Sequence, residues 1–303
     1  MKKRISIIVM FFATLCANAQ QEAMYTHYAF NTLAINPAYA GSREALTITA
    51  LHRSQWVGFK GAPMSQTLTL HSPIGEDMGV GLSFLHDRIG PVVSTAVFAD
   101  YAYKVPIGTG SLAMGVKAGV DIFNIALSGL TAFDVGDVIA QNYSKVLPNV
   151  GVGFHYSHNK YFVGLSSPRL LPLRFYEEQV QGYKANEAIH AYLMGGYMFD
   201  INPKFQIKPI AFIRATPMAP IQGEITSIFT FDKRFELGAM YRTGDAFGIL
   251  AGFNFENNLR IGYSFDWSYA LSTGRYNSGS HEIVLRYDFV QAVNKKIVSP
   301  RNF

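Results

Sequence analysis

The sequence has 303 residues, of which 49% are hydrophobic, 14% aromatic and only 16% charged, with 26 Lys and Arg against 21 Asp and Glu. So few charges beside so many aromatic residues exclude a disordered chain, and Phe, Tyr and Gly in place of Ala, Glu, Lys and Leu exclude a coiled coil. Beyond the first twenty residues no apolar run approaches the roughly 20 residues of a membrane-spanning helix, which leaves a large all-β protein, either soluble or an outer-membrane barrel.

Residues 1–19 read as a secretory signal peptide. Met1-Lys2-Lys3-Arg4 is a basic start, Ile5 to Leu15 is apolar, and Ala17-Asn18-Ala19 is a small-residue cleavage signature placing the cut between Ala19 and Gln20. An uncleaved anchor is the alternative, but the apolar stretch is short for one. Cys16, the only cysteine, lies inside this segment and follows Leu15, too large for lipoprotein attachment. The expected mature chain therefore has no disulfide, thiol nucleophile or Cys-ligated metal. Cleavage removes Lys2, Lys3 and Arg4, leaving 23 cations against 21 anions and a balance of +2. With no basic run either, no nucleic-acid partner is expected.

Residues 20–43 form a lead-in with two readings. Met24, Tyr28, Asn31 and Ile35 have roughly helical spacing and precede the turn Asn36-Pro37-Ala38-Tyr39-Ala40-Gly41. The segment is either a short helix that plugs a lumen or docks at its mouth, or an ordered strap.

From residue 44 to 290 the dominant signal is alternation of period two, which predicts a transmembrane antiparallel β-barrel. Fourteen segments fit: 44–54, 64–72, 78–87, 94–105, 111–123, 149–157, 160–167, 187–199, 204–215, 222–231, 234–243, 246–255, 259–270 and 280–289. Connections after even segments are short, whereas those after odd segments include 124–148 and 168–186. That sorting matches periplasmic turns and external loops, and a β-sandwich has no reason to produce it. On this reading the Leu, Ile, Phe and Val positions face outer-membrane lipid, with Tyr241, Trp267, Tyr269, Tyr287 and Phe289 in interfacial girdles. Lys117, Asp121, Lys204, Gln206, Lys208, Arg214, Arg260 and Asp266 face the lumen, because a Lys or Arg in the lipid midplane costs about 2–4 kcal/mol. Residues 291–303, with Lys295, Lys296 and Arg301, are left as a periplasmic tail.

The connection from Arg53 to Pro63 is chemically unusual. Arg53, Gln55 and Trp56 stand beside Gly58, Gly61 and Pro63, and Trp and Arg are enriched in binding hot spots. These six are candidate partner-contact residues at the outer rim. The alternative makes Trp56 a girdle residue and gives Arg53 to a lumen ion pair.

Catalytic patterns do not emerge. The eight histidines include no His-Glu-x-x-His and form no ligand cluster. Gly79-Val80-Gly81 sits mid-strand without a following helix, where glycine gives room in a barrel wall. A lipase-like Ser–His pair involving His71 or His281 has spacing alone to recommend it. No enzyme activity, cofactor or metal is expected.

Taken in order, several segments resemble the PorP/SprF family of type IX secretion outer-membrane proteins of Bacteroidetes. They are Asn36-Pro37-Ala38-Tyr39-Ala40-Gly41-Ser42, the stretch Arg53 to Pro63, His86-Asp87-Arg88-Ile89-Gly90-Pro91, Asp100-Tyr101-Ala102-Tyr103, Leu147 to Gly153, Tyr241-Arg242-Thr243-Gly244-Asp245, Asn277 to Ile283 and Ser299 to Phe303. The resemblance implies a barrel of the secretion and gliding apparatus that supports export or surface anchoring of cargo, such as large adhesins with a C-terminal sorting domain. It implies other type IX components as further partners and no catalytic residue. A general diffusion porin is the other function class.

Overall fold

The computed structural model describes residues 25–43, 45–126, 142–171, 189–217, 219–269 and 278–290. Fifteen strands follow in chain order: β1 Leu46–Ser54, β2 Met64–Ile74, β3 Met78–Ile89, β4 Val92–Ile107, β5 Gly110–Ile125, β6 Tyr143–Ser157, β7 Tyr161–Ser167, β8 Ala191–Tyr197, β9 Phe199–Asn202, β10 Phe205–Ala215, β11 Gln222–Phe231, β12 Phe235–Arg242, β13 Ala246–Asn254, β14 Leu259–Ser268 and β15 Ser280–Phe289. Every pairing is antiparallel, and β1 closes on β15 with Leu46 opposite Phe289 and Ser54 opposite His281. β8 and β9 are one stave interrupted at Met198: both pair with β10, and the register from Ile210–Gly196 to Ile207–Phe199 is continuous. The result is a closed barrel of fourteen staves, without the free edge that invites aggregation.

The connections sort by end. Residues 75–77, 108–109, 158–160, 203–204, 232–234 and 255–258 turn the chain at one end, where β1 begins and β15 finishes. Asp232 and Lys233 both have positive φ, 49° and 57°, the pattern of a type I′ hairpin. The other end carries 55–63, 126–142, 168–190, 216–221 and 269–279, but also the short turns 90–91 and 243–245. β3 and β4 run through the segment the sequence leaves as a loop around Arg88. β6 likewise starts at Tyr143 rather than at Asn149, so the long connection shrinks to 126–142. Strands of sixteen residues, β4 and β5, exceed the 9–11 needed to span a bilayer.

Burial is inverted relative to a soluble protein. Leu82, Val116, Leu165, Ile225, Leu237, Ile249 and Leu285 are exposed on the outer face, while Arg53, Lys117, Asp121, Arg242, Ser264 and Glu282 are buried inside. Water could not solvate such an outer face; hydrocarbon can. Aromatic side chains gather at both margins of this apolar band. Tyr241, Phe247 and Tyr269 pack together near the long-loop end, and Phe205, Phe229 and Phe231 near the short-turn end. These are the interfacial positions where amphipathic rings anchor a barrel.

Residues 25–43 lie inside the barrel. No α-helix forms there. The segment folds as successive turns, with 3-10 turns at Thr32–Ala34 and Pro37–Tyr39. Asn36 stops the first run, because its side-chain oxygen accepts from Ala38 N and Pro37 sets the next turn. The packed core is thus inside the cylinder: Tyr25, Tyr28 and Ile35 meet Leu51, Phe162, Tyr192, Met194, Phe212, Ile228 and Val284 of the wall.

Candidate functional site

The site is the lumen and what closes it. Near the long-loop end, residues opposite one another in the register form ion pairs: Arg53 faces Glu282 and Arg242 faces Glu224. Arg53 contacts Glu282 at 3.2 Å and Asp266 at 2.7 Å, and Arg242 contacts Glu224 at 2.7 Å and Asp245 at 3.1 Å. The plug is tied into this network. Glu282 accepts hydrogen bonds from the backbone N–H groups of Thr26 and His27, at 2.8 and 2.7 Å, and contacts His27 Nδ1 at 2.7 Å. Thr26 Oγ1 accepts from Arg53 and donates to Asp266 at 2.6 Å, while Arg242 donates to the Tyr25 carbonyl at 2.8 Å. Charges buried this deeply are costly unless paired, and here the plug supplies part of that pairing.

Farther down the lumen the plug is gripped side by side. Asn31 donates to Thr67 and accepts from Thr69, at 2.6 and 2.8 Å, spanning two inward positions of β2. Lys117 pairs with Asp100, its cross-strand neighbour, at 3.1 Å and donates to the Leu33 carbonyl at 3.3 Å. Asn36 donates to the Phe154 carbonyl at 3.0 Å. At the short-turn end Arg43 makes a two-pronged contact with Asp288, at 3.1 and 2.9 Å. Tyr28 stacks on Phe212 with ring centroids 4.2 Å apart, and burial pushes its phenol up to about 12, so it stays neutral.

Glycines on the inner wall make room for the plug backbone. A Cβ on Gly79 would lie 2.1 Å from the Ala40 carbonyl oxygen, and one on Gly115 would lie 2.2 Å from Ala38 N. One on Gly153 would lie 2.1 Å from Asn36 Oδ1. Gly79 therefore serves close approach of backbone to backbone, in keeping with its position inside β3.

The residues singled out in the sequence fall as follows. Lys117, Asp121, Arg214, Arg260 and Asp266 are buried inside, and Lys208 lines an internal cavity. Asp121 pairs with Arg169 at 3.1 Å, Arg260 with Glu236 at 2.5 Å, and Arg214 donates to Gln222 at 2.7 Å. Lys204 differs from expectation: it is exposed in the turn between β9 and β10, because the strand starts at Phe205. Of the two readings for Arg53, the geometry matches the lumen ion pair: it belongs to β1 and pairs with Asp266 and Glu282 in the plug network, and Gln55 is buried beside it. Trp56 is half-buried with φ of 46°, a left-handed conformation costly for a bulky residue. Gly58 and Gly61 are exposed with φ of 94° and 79°, and Pro63 is half-buried. Val57, Phe59 and Lys60 beside these glycines are exposed, and Val57 exchanges backbone hydrogen bonds with Gly279 and Ser278. Sequence reading assigned no lumen contact to Thr26, His27, Asn31, Glu224, Arg242 or Glu282. The last three sit at inward positions of alternating strands, so strand phase combined with charge would have found them. Residues 1–19 and the tail 291–303 lie outside the described residues.

Comparison with known proteins places this arrangement. Among solved structures, the chain is similar to the Ralstonia pickettii toluene transporter TbuX, with 10% identity, a TM-score of 0.51, and coverage of 84% of this chain and 92% of that one. The Acinetobacter baumannii outer membrane protein Omp33 aligns at 9% identity and a TM-score of 0.48, over 82% of this chain and 100% of that one. At 10% identity the likeness to the toluene transporter shows the barrel fold alone. No curated protein matches the sequence. The family model for the type IX secretion system membrane protein PorP/SprF matches residues 17–287. A lumen-plugged barrel matched over nearly its whole length by that model is an outer-membrane component of type IX secretion: the chain belongs to the PorP/SprF family.

Proposed function

We propose that the protein supports export or surface anchoring of secreted cargo carrying a C-terminal sorting domain, as a docking barrel and not as a conduit or an enzyme. The carrying observation is the plug. A chain segment threaded from Tyr25, beside Arg242, to Arg43, beside Asp288, occupies the lumen among the described residues, which speaks against passage of a cargo polypeptide. Cargo must then be met on the surface, and the long-loop end, taken as the outside because short turns are periplasmic in such barrels, offers the loop 55–63. Phe59 is 54% exposed there, held on a scaffold of Trp56, Gly58 and Gly61. An exposed aromatic on a conformationally fixed loop has the makings of an interface anchor. Cleavage between Ala19 and Gln20 delivers the mature chain to the outer membrane. Affinity capture of the barrel from native outer membranes should recover one abundant secreted protein with a C-terminal sorting domain together with type IX components. Recovery of the barrel alone, with cargo export intact in a strain lacking it, would refute the proposal.

A further inference from the structure

The plug leaves the short-turn end partly hollow. Between Ala29 and Phe30 of the plug and the inner wall lies a cavity of about 370 Å³, bordered by the half-exposed Asp200 and the exposed Lys233 turn. Its charged lining is lopsided: with Arg43 committed to Asp288, Lys208, Lys233 and Arg286 stand against Asp200 and Glu236. Both carboxylates are already engaged, Glu236 with Arg260 at 2.5 Å and Asp200 with Lys160 at 3.4 Å. Arg286 is the most poorly compensated. Its register partner across β14 and β15 is Arg260, another guanidinium, and like charges directly opposite destabilise a sheet. Its nearest carboxylate, Asp288, stands 3.7 Å from Nε and is already gripped by Arg43. The Nε atom is enclosed and donates no hydrogen bond.

We infer that this cavity is a binding site for an oxyanion, a phosphate or carboxylate group, held chiefly by Arg286 and Lys208 with Lys233 at the entrance. A guanidinium fork offers such a group two parallel hydrogen bonds, and a bound anion offsets the repulsion between Arg260 and Arg286. The volume lies near the small end of natural ligand pockets, enough for an anionic group with its waters. The site is separate from cargo docking and stands or falls independently of it.

The test is calorimetric titration of the full-length barrel in detergent with inorganic phosphate, and in a second arm with a tetra-aspartate peptide. Saturable binding at one ligand per barrel is expected, weakened at least tenfold by Arg286→Gln and by Lys208→Gln while the barrel stays heat-modifiable. Tighter phosphate binding identifies a phosphate-bearing solute as the source, and tighter peptide binding an acidic protein segment. If Arg286→Gln does not fold, Lys208→Gln decides alone. No saturable binding of either probe, or binding that the folded variants leave unchanged, would overturn the site.

Discussion

Glu282 shows how one side chain fixes the state of the lumen. It faces Arg53 across the β1–β15 ladder, accepts two plug N–H groups and is fully buried. Replacing it by Gln removes the charge but keeps the shape, leaving Arg53 with Asp266 as its remaining anion. Breaking a buried pair from one side costs about 3–5 kcal/mol. Glu282→Gln is therefore expected to destabilise the barrel by roughly that amount, measured by urea unfolding in detergent. A control at an exposed ion pair, Arg234→Gln beside Glu256, should change stability by less than about 1 kcal/mol. Gly115 tests the plug from the other side. Gly115→Val would drive a Cβ into Ala38 N, so the plug or β5 must move. Overpacking of this kind costs about 1–3 kcal/mol, and a new protease cut within residues 25–43 should report the displacement; a variant as stable and protease-resistant as the parent would mean the plug does not sit against β5.

Strands were the most legible elements. In Leu259 to Ser268 the outward Ile261, Tyr263 and Trp267 and the inward Arg260, Ser264 and Asp266 follow directly from alternation, because a pleated backbone sends successive side chains to opposite faces. The lead-in was much less legible. Tyr28, Asn31 and Ile35 have helical spacing, but the side chains that decide its path bond to distant strands, Asn31 to β2 and Asn36 to β6, and no local pattern encodes those partners. Arg53 was legible in part: the segment 44–54 includes it and a lumen ion pair was one of its readings, but its partners Asp266 and Glu282 stand more than two hundred residues away in sequence. For the loop, Phe59→Ala together with Trp56→Ala should lower surface display of cargo severalfold while barrel abundance and heat-modifiability stay normal. A parallel loss of barrel would assign the loop to folding. Orientation is tested by epitope tags at Asp137 and Glu178, expected to be reachable on intact cells, and at Asn202, expected not to be; the reverse labelling would invert the topology.

At the scale of the molecule, an apolar outer face with aromatic margins fits the barrel to lipid, and the interior is organised around the plug. Fourteen staves fall between the narrow eight-stranded barrels and the sixteen-stranded porins that keep an aqueous channel. A barrel of that girth with an empty lumen would conduct. Here residues 25–43 occupy it, held at one end by hydrogen bonds to Glu282 and Arg242, at the other by the Arg43–Asp288 ion pair, and along the middle by Asn31, Leu33 and Asn36. On the function proposed above, the plugged lumen leaves the protein as a docking platform of the secretion apparatus. Planar-bilayer conductance of the purified full-length barrel tests it most directly. A closed baseline is predicted, with stable ohmic channels appearing only when the plug residues 25–43 are replaced by a Gly/Ser linker of equal length. Steady porin-sized conductance from the unmodified barrel would contradict it.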